Sequence, residues 1–196
     1  ELKKNEIDWV YLGKVRKSLV VLKGKGGVVL LHCRAALERI QFEKIRKYFL
    51  EDIKASQTLL IPIPLELDPI TSDTLMLYLP FFSKQGFQIE EFGRNFFRIE
   101  ALPNWLDESQ GEVFIRDIID LAREKGSARK LLAEDDIARK AAKDIMQYHD
   151  DFSEEKVLAL LTVLFECENP TSCPFGKPVY REYSWTEFEE KFERPV

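Results

Sequence analysis

Residues 28–43, VVLLHCRAALERIQFE, constrain this chain more than any other stretch. Val28 to Leu31, preceded by Gly27, form an apolar run with β-branched members that reads as a buried strand, and the residues after it keep helical spacing. A strand therefore hands over to a helix at His32-Cys33-Arg34. A helix start exposes free amides, and polar side chains can converge there without entering the core, so such a junction suits chemistry. Leu37, Ile40, Ile45, Tyr48 and Phe49 carry the apolar stripe on toward Leu50. Arg34/Glu38 and Arg39/Glu43 stand four apart and are expected to pair on the other face.

Upstream, residues 9–22 carry Val10, Leu12, Val15, Leu19 and Val20 and read as one strand that turns at Gly24-Lys25-Gly26-Gly27 into 28–31. The glycines and lysines of that turn suggest a phosphate cradle, but the turn joins two strands and opens no helix. Downstream, QTLLIPIPLEL at 57–67 is apolar yet holds Pro62 and Pro64, which remove ladder donors and confine it to an edge strand or an extended arm. Thr71-Ser72-Asp73 is expected to cap a helix that bends at Pro80, runs to Lys84 and stops at Gly86. Two strands, 87–92 and 95–101, follow about Gly93, which closes a self-contained β-α-β-β piece. Helices are expected at 107–125, 128–148 and 153–167, and the last has a Val157, Leu158, Leu160, Leu161, Leu164 stripe suited to core packing. A loop with Pro170, Pro174, Gly176 and Pro178, a strand at 179–183 and an acidic helix capped by Ser184 and running to Phe192 complete the chain.

A chain of 196 residues, 45% hydrophobic, can bury a proper core as one domain or two small subdomains of a mixed α/β class. The net charge of -5 hides an asymmetry: residues 1–50 carry 12 Lys/Arg against 5 Asp/Glu, and the rest 17 against 29. A basic N-terminal quarter suits weak contact with DNA phosphates, although an ordinary solvated face is the commoner reason for such an asymmetry. No apolar run of about 18 residues and no signal peptide occur, so the chain is expected to be soluble, cytoplasmic and without a membrane partner. Cys33, Cys167 and Cys173 are too few and too irregular for a disulfide framework, which fits a reducing compartment. The abrupt start at Glu1 suggests a domain of a longer protein.

Three separated motifs, LLHCRAALERIQFE, IARKAAK at 137–143 and CPFGKP at 173–178, together resemble the C-terminal domain of MutL mismatch-repair endonucleases. The family has DQHA-ALER-I-x-YE in the first, a helix reading like ACHxAxK in the second and CPHGRP in the third. SQTLLIP at 56–62 resembles the family's sliding-clamp-binding motif, which places clamp contact on Gln57, Thr58, Leu59, Leu60, Ile61 and Pro62. The resemblance implies an α/β dimerisation subdomain, 1–54 with 128–196, and an inserted regulatory, clamp-binding subdomain at 55–127. It further implies a homodimer, other mismatch-repair proteins as partners, and a bacterial, nucleoid-associated setting rather than a nuclear one. The ending Phe192-Glu193-Arg194 is also similar to the FERC ending of eukaryotic relatives.

The departures fall on the family's metal ligands. The aspartate and histidine of the first motif stand here as His32 and Arg34, the cysteine and histidine of the second as Ala138 and Arg139, and the histidine of the third as Phe175. Glu38 and Cys173 are kept. Water activation by a metal needs several carboxylate, imidazole or thiolate ligands, and arginine never deprotonates to become one. His149 lies far from all three motifs in sequence. The expectation is a non-catalytic domain without cofactor or catalytic metal. Arg34 and Arg139 would then neutralise Glu38, and Phe175 would fill the space of an imidazole. Three alternatives remain: a nuclease with a remodelled site, a structural zinc on His32, Cys33, Glu38 and Cys173, and a generic dimerisation module that shares only the fold.

Overall fold

The strand expected at 28–31 is β3 (Gly27–His32), and the helix after it is α1 (Cys33–Leu50). The computed structural model describes residues 8–50, 54–124, 134–144 and 152–192. Helices and antiparallel sheets mix, consistent with the mixed α/β (α+β) class expected, and the chain divides into two compact units, Glu1–Glu43 with Met146–Val196, and Lys44–Ile145.

In the first unit the segment 9–22 is two strands rather than one. β1 (Val10–Arg16) and β2 (Leu19–Lys23) pair antiparallel, with Arg16 opposite Leu19, so Lys17 and Ser18 alone form the turn. The glycine turn then returns the chain into β3, with Lys23 opposite Val28, and β7 (Tyr180–Ser184) completes the order β1-β2-β3-β7. Gly27 is required where β3 meets β7, because a Cβ there would lie 1.9 Å from the Tyr183 carbonyl oxygen. Strand alternation puts Val20, Leu22, Val29 and Leu31 on one face, fully buried against Ala35 and Ala36 of α1 and Val157, Leu160, Leu161 and Leu164 of α5 (Glu154–Leu164). Each such aliphatic side chain contributes about 1.5–3 kcal/mol. The opposite face carries Leu19, Val21, Val28 and Leu30, only half-buried, and at the sheet edge Val10 and Leu12 are 57% and 56% exposed. Trp9 closes the core edge-on to Phe165 and Tyr180, at 5.4 and 5.1 Å. α6 (Trp185–Phe192) starts on a reciprocal cap, in which the Glu187 amide donates to Ser184 Oγ and the Ser184 amide to Glu187 Oε2.

The second unit holds a three-stranded sheet in the order β4-β6-β5, built from β4 (Ser56–Glu66), β5 (Gln88–Gly93) and β6 (Phe96–Pro103). β4 is an edge strand, which is why it tolerates Pro62 and Pro64. Asn95 makes the turn between β5 and β6 with a φ of 59°. α2 (Pro69–Lys84) starts earlier than expected. Its cap is Asp68, not Thr71-Ser72-Asp73, because Pro69 supplies a helical φ without an amide to satisfy and the Asp68 carboxylate accepts from Ile70 N and Thr71 N. Thr71, Ser72 and Thr74 are instead buried. The 3₁₀ turn Glu108–Gln110 precedes α3 (Gly111–Glu124), and α4 spans Glu134–Asp144. The helix ends expected at 125, 128 and 145–148 lie outside the described residues, as does His149. The core is aromatic: Phe87 stacks on Phe114 at 5.7 Å, and Trp105 meets Tyr48, Phe49, Phe87 and Phe114 edge-on.

Candidate functional site

At the strand–helix junction His32 is the residue before α1, and its Nδ1 accepts a hydrogen bond from the Ala35 amide at 3.1 Å. The imidazole thus caps an otherwise unpaired helix amide, and Nδ1 has no lone pair left for another partner. Cys33 points the other way, into the core beneath the sheet, and is fully buried. Burial pushes its thiol up to about 12, against smaller opposing effects of its own backbone hydrogen bond and of Lys14. Arg34 and Glu38 follow one turn apart, both half-buried.

The neighbouring pair, Arg39 and Glu43, ties the first motif to the third. Arg39 Nε donates to the Ser172 carbonyl at 2.6 Å, its guanidinium lies 3.5 Å from Glu43 Oε1, and its plane covers the Phe42 ring at 5.5 Å. Glu43 in turn accepts from the amides of Glu168 (2.7 Å) and Asn169 (3.2 Å). Both side chains are nearly buried, so this is a charge pair on one helix face that is hydrogen-bonded to one loop. Sequence spacing finds the pair but not its partners, which lie more than 120 residues away.

The loop held this way carries CPFGKP as a tight hairpin. The Gly176 amide donates to the Cys173 carbonyl at 3.0 Å and the Cys173 amide to the Lys177 carbonyl at 2.8 Å, with Gly176 at φ 78°. Pro174 sits at the second turn position, where its fixed φ is an advantage. Cys173 turns inward and is buried in the core cluster. Phe175 occupies the tip and is 45% exposed, so it does not fill the space of an imidazole: the turn geometry directs it outward. Cys167, beside this loop, has its thiol pushed up to about 12, by burial first and then by the charge of Glu43.

In the second unit Ala138 is fully buried, and Arg139 lies 3.5 Å from Asp136 and 4.0 Å from Asp135 on its own helix. Asp135 also takes Arg46 at 3.1 Å. Arg139 therefore pairs with the acidic first turn of α4. The residues present do not suit a catalytic metal pair. His32 Nδ1 caps a helix, Cys33 and Cys173 lie in hydrocarbon, Glu38 keeps a half-buried carboxylate, and the remaining positions hold Arg34, Ala138, Arg139 and Phe175, none of which ligates a metal. Among the described residues no three His, Cys, Asp or Glu side chains are placed to hold a metal ion.

SQTLLIP lies on β4. Pairing with β6 runs to Thr58, breaks, and resumes at Ile63, so Leu59 to Pro62 leave the ladder. Leu59 turns inward and is buried, while Leu60 is 100% and Ile61 77% exposed. Gln57 has an internal task that the sequence did not suggest: its Nε2 donates to the Leu106 carbonyl at 3.0 Å.

This architecture and these motifs are those of a MutL C-terminal dimerisation domain. The model of that family, described as the MutL C terminal dimerisation domain, matches residues 12–152, and the chain belongs to it. Among curated proteins it is similar to the DNA mismatch repair protein MutL of Opitutus terrae, 35% identical over 98% of this chain and 31% of that protein. The MutL proteins of Akkermansia muciniphila and Lactiplantibacillus plantarum are each 33% identical, over 93% and 94% of this chain and 29% and 27% of their own lengths. The chain spans about a third of the length of these relatives. No helix among the described residues is long and apolar enough to cross a membrane.

Proposed function

We propose that this chain is the non-catalytic C-terminal domain of a DNA mismatch repair MutL protein, which holds two copies together and recruits the replication sliding clamp. Residues 1–54 and 128–196 form the dimerising part and 55–127 the regulatory part in this reading, with other mismatch-repair proteins as further partners and weak DNA contact through the basic N-terminal quarter. The observation that carries the reading is the pair Leu60 and Ile61, large aliphatic side chains held out in solvent where an edge strand leaves its sheet. An edge segment with free main-chain groups and outward aliphatics is what an extended recognition motif offers to an apolar pocket. The half-open apolar face of the β1-β2-β3-β7 sheet supports dimerisation, and the unsuitable donor set supports the absence of cleavage.

Titration calorimetry of the domain with a bacterial sliding clamp tests the clamp reading. Leu60→Ala with Ile61→Ala should weaken binding at least about tenfold and leave Tm unchanged, because neither side chain supports the fold. Gln57→Ala should cost both binding and about 1 kcal/mol of stability, because it also removes the bond to Leu106. Equal clamp affinity for the Leu60/Ile61 double variant removes the claim.

A further inference from the structure

We propose that the end of the four-stranded sheet around His32 holds a single DNA strand, with Arg16, Lys17, His32 and Lys177 on its phosphates and Phe175 stacked on a base. The proposal rests on the weak DNA contact given above to the basic N-terminal quarter, and it says where that contact falls. It starts from the misfit of the donor set. Where the family has metal ligands this chain has His32, Arg34 and Phe175. Cations and an aromatic ring in place of carboxylates suit a polyanion that carries bases, not a metal ion.

The sheet brings these groups together. Arg16 stands opposite Leu19 and Leu19 opposite His32, so the three share one face of adjacent strands. Strands lie about 4.8 Å apart, which sets Arg16 and His32 about 10 Å from each other. Lys17 follows Arg16 in the β1–β2 turn, and the Cys33 amide ties that turn to the junction by donating to the Ser18 carbonyl at 2.8 Å. On the other side the His32 amide donates to the Val179 carbonyl at 2.8 Å, which brings the hairpin of Phe175 and Lys177 alongside. Arg16, Lys17, His32 and Lys177 are all exposed. Among the described residues no ion pair occupies Arg16, Lys17 or Lys177. Because His32 Nδ1 accepts from the Ala35 amide, the ring proton sits on Nε2, an N–H donor for a phosphate oxygen. Glu38, the carboxylate that α1 brings nearest in the chain, is half-buried and matched in charge by Arg34 one turn before it. Phe175 offers its ring from a turn fixed by two backbone hydrogen bonds, its Cα no more than about 7 Å from that of Lys177. Such a turn loses little freedom when a base stacks on it.

The test is fluorescence anisotropy of the whole chain with a labelled oligothymidylate and with a duplex of the same length. The single strand should bind at least about fivefold more tightly, because a base inside a duplex offers Phe175 no free face. Each phosphate held by a cation adds about −0.7 to the slope of log affinity against log salt, so Arg16, Lys17 and Lys177 together give about −2. Arg16→Ala with Lys17→Ala should flatten that slope by about 1.4. Phe175→Ala should weaken binding at least about fivefold and leave the slope as it is. Lys23→Ala with Lys25→Ala, at the opposite end of the same strands, should change neither. Equal affinity for the duplex, an unchanged slope in the Arg16/Lys17 variant, or parent-like binding by Phe175→Ala overturns the proposal. Losses as large in the Lys23/Lys25 variant overturn this site and keep the wider DNA contact, whereas no binding of either DNA removes both. The comparison of strand with duplex uses the parent protein and decides even where a variant does not fold.

Discussion

Replacing Arg39 by alanine should be the most damaging single change at the junction between the first and third motifs. The substitution removes the Nε donor from the Ser172 carbonyl and the counter-charge from Glu43, whose carboxylate stays nearly buried with the Glu168 and Asn169 amides and the Cys167 thiol. Breaking a buried pair by deleting one partner costs about 3–5 kcal/mol. The two amides that remain on Glu43 moderate this, so the expected loss is about 3 kcal/mol. Urea unfolding gives the total as a fall in midpoint at constant slope. Hydrogen exchange localises it: the amides of Glu168, Asn169 and Cys173 should exchange about 100-fold faster, while those of β4 to β6 keep their protection. Arg39→Lys keeps the charge but cannot reach Ser172 and Glu43 together, and should fall between parent and alanine. A loss under about 1 kcal/mol for Arg39→Ala, or faster exchange spread evenly over both units, would refute the idea that this pair anchors the third motif.

The Cys33 thiol, at about 12, should carry a thiolate fraction of about one in ten thousand at pH 8, so a thiolate-selective reagent should label it only after denaturant is added. Because its folded value lies above the unfolded 9.0, its burial supports folding fully below pH 9, and that support is lost as pH rises toward 12; Cys33→Ala should flatten this part of the stability profile. In manganese buffer the purified domain should leave supercoiled plasmid intact. Stoichiometric zinc together with nicking that is lost in Glu38→Gln would overturn the non-catalytic reading.

Local pattern made much of the fold legible. The apolar run before His32 fixed a strand and a helix, and Pro62 with Pro64 marked β4 as an edge. What the sequence hid depended on contacts distant in the chain or on weak turn signals. Lys17-Ser18 lacks the glycine or asparagine that announces a two-residue hairpin, so β1 and β2 read as one strand. Three polar residues at 71–73 mask the true α2 cap at Asp68-Pro69, and burial shows that two of them, Thr71 and Ser72, face the core. The bonds from Arg39 to Ser172 and from Gln57 to Leu106 leave no trace in spacing, and without them Gln57 reads as a purely external residue. Phe175 is large enough to replace an imidazole, but the turn at Cys173 to Gly176 sets its direction, and that direction is outward.

Self-association is the most direct test of what this domain does. One chain has a mass of 22.9 kDa, and the outer face of its four-stranded sheet leaves Val10 and Leu12 in solvent. A stable dimer that covers such a face buries upward of about 1,200 Å² in total. Light scattering behind size exclusion at tens of micromolar should therefore give about twice the chain mass, and Leu12→Asp should reduce it to that of one chain without loss of helix signal. A single-chain mass for the parent protein at that concentration would contradict the account.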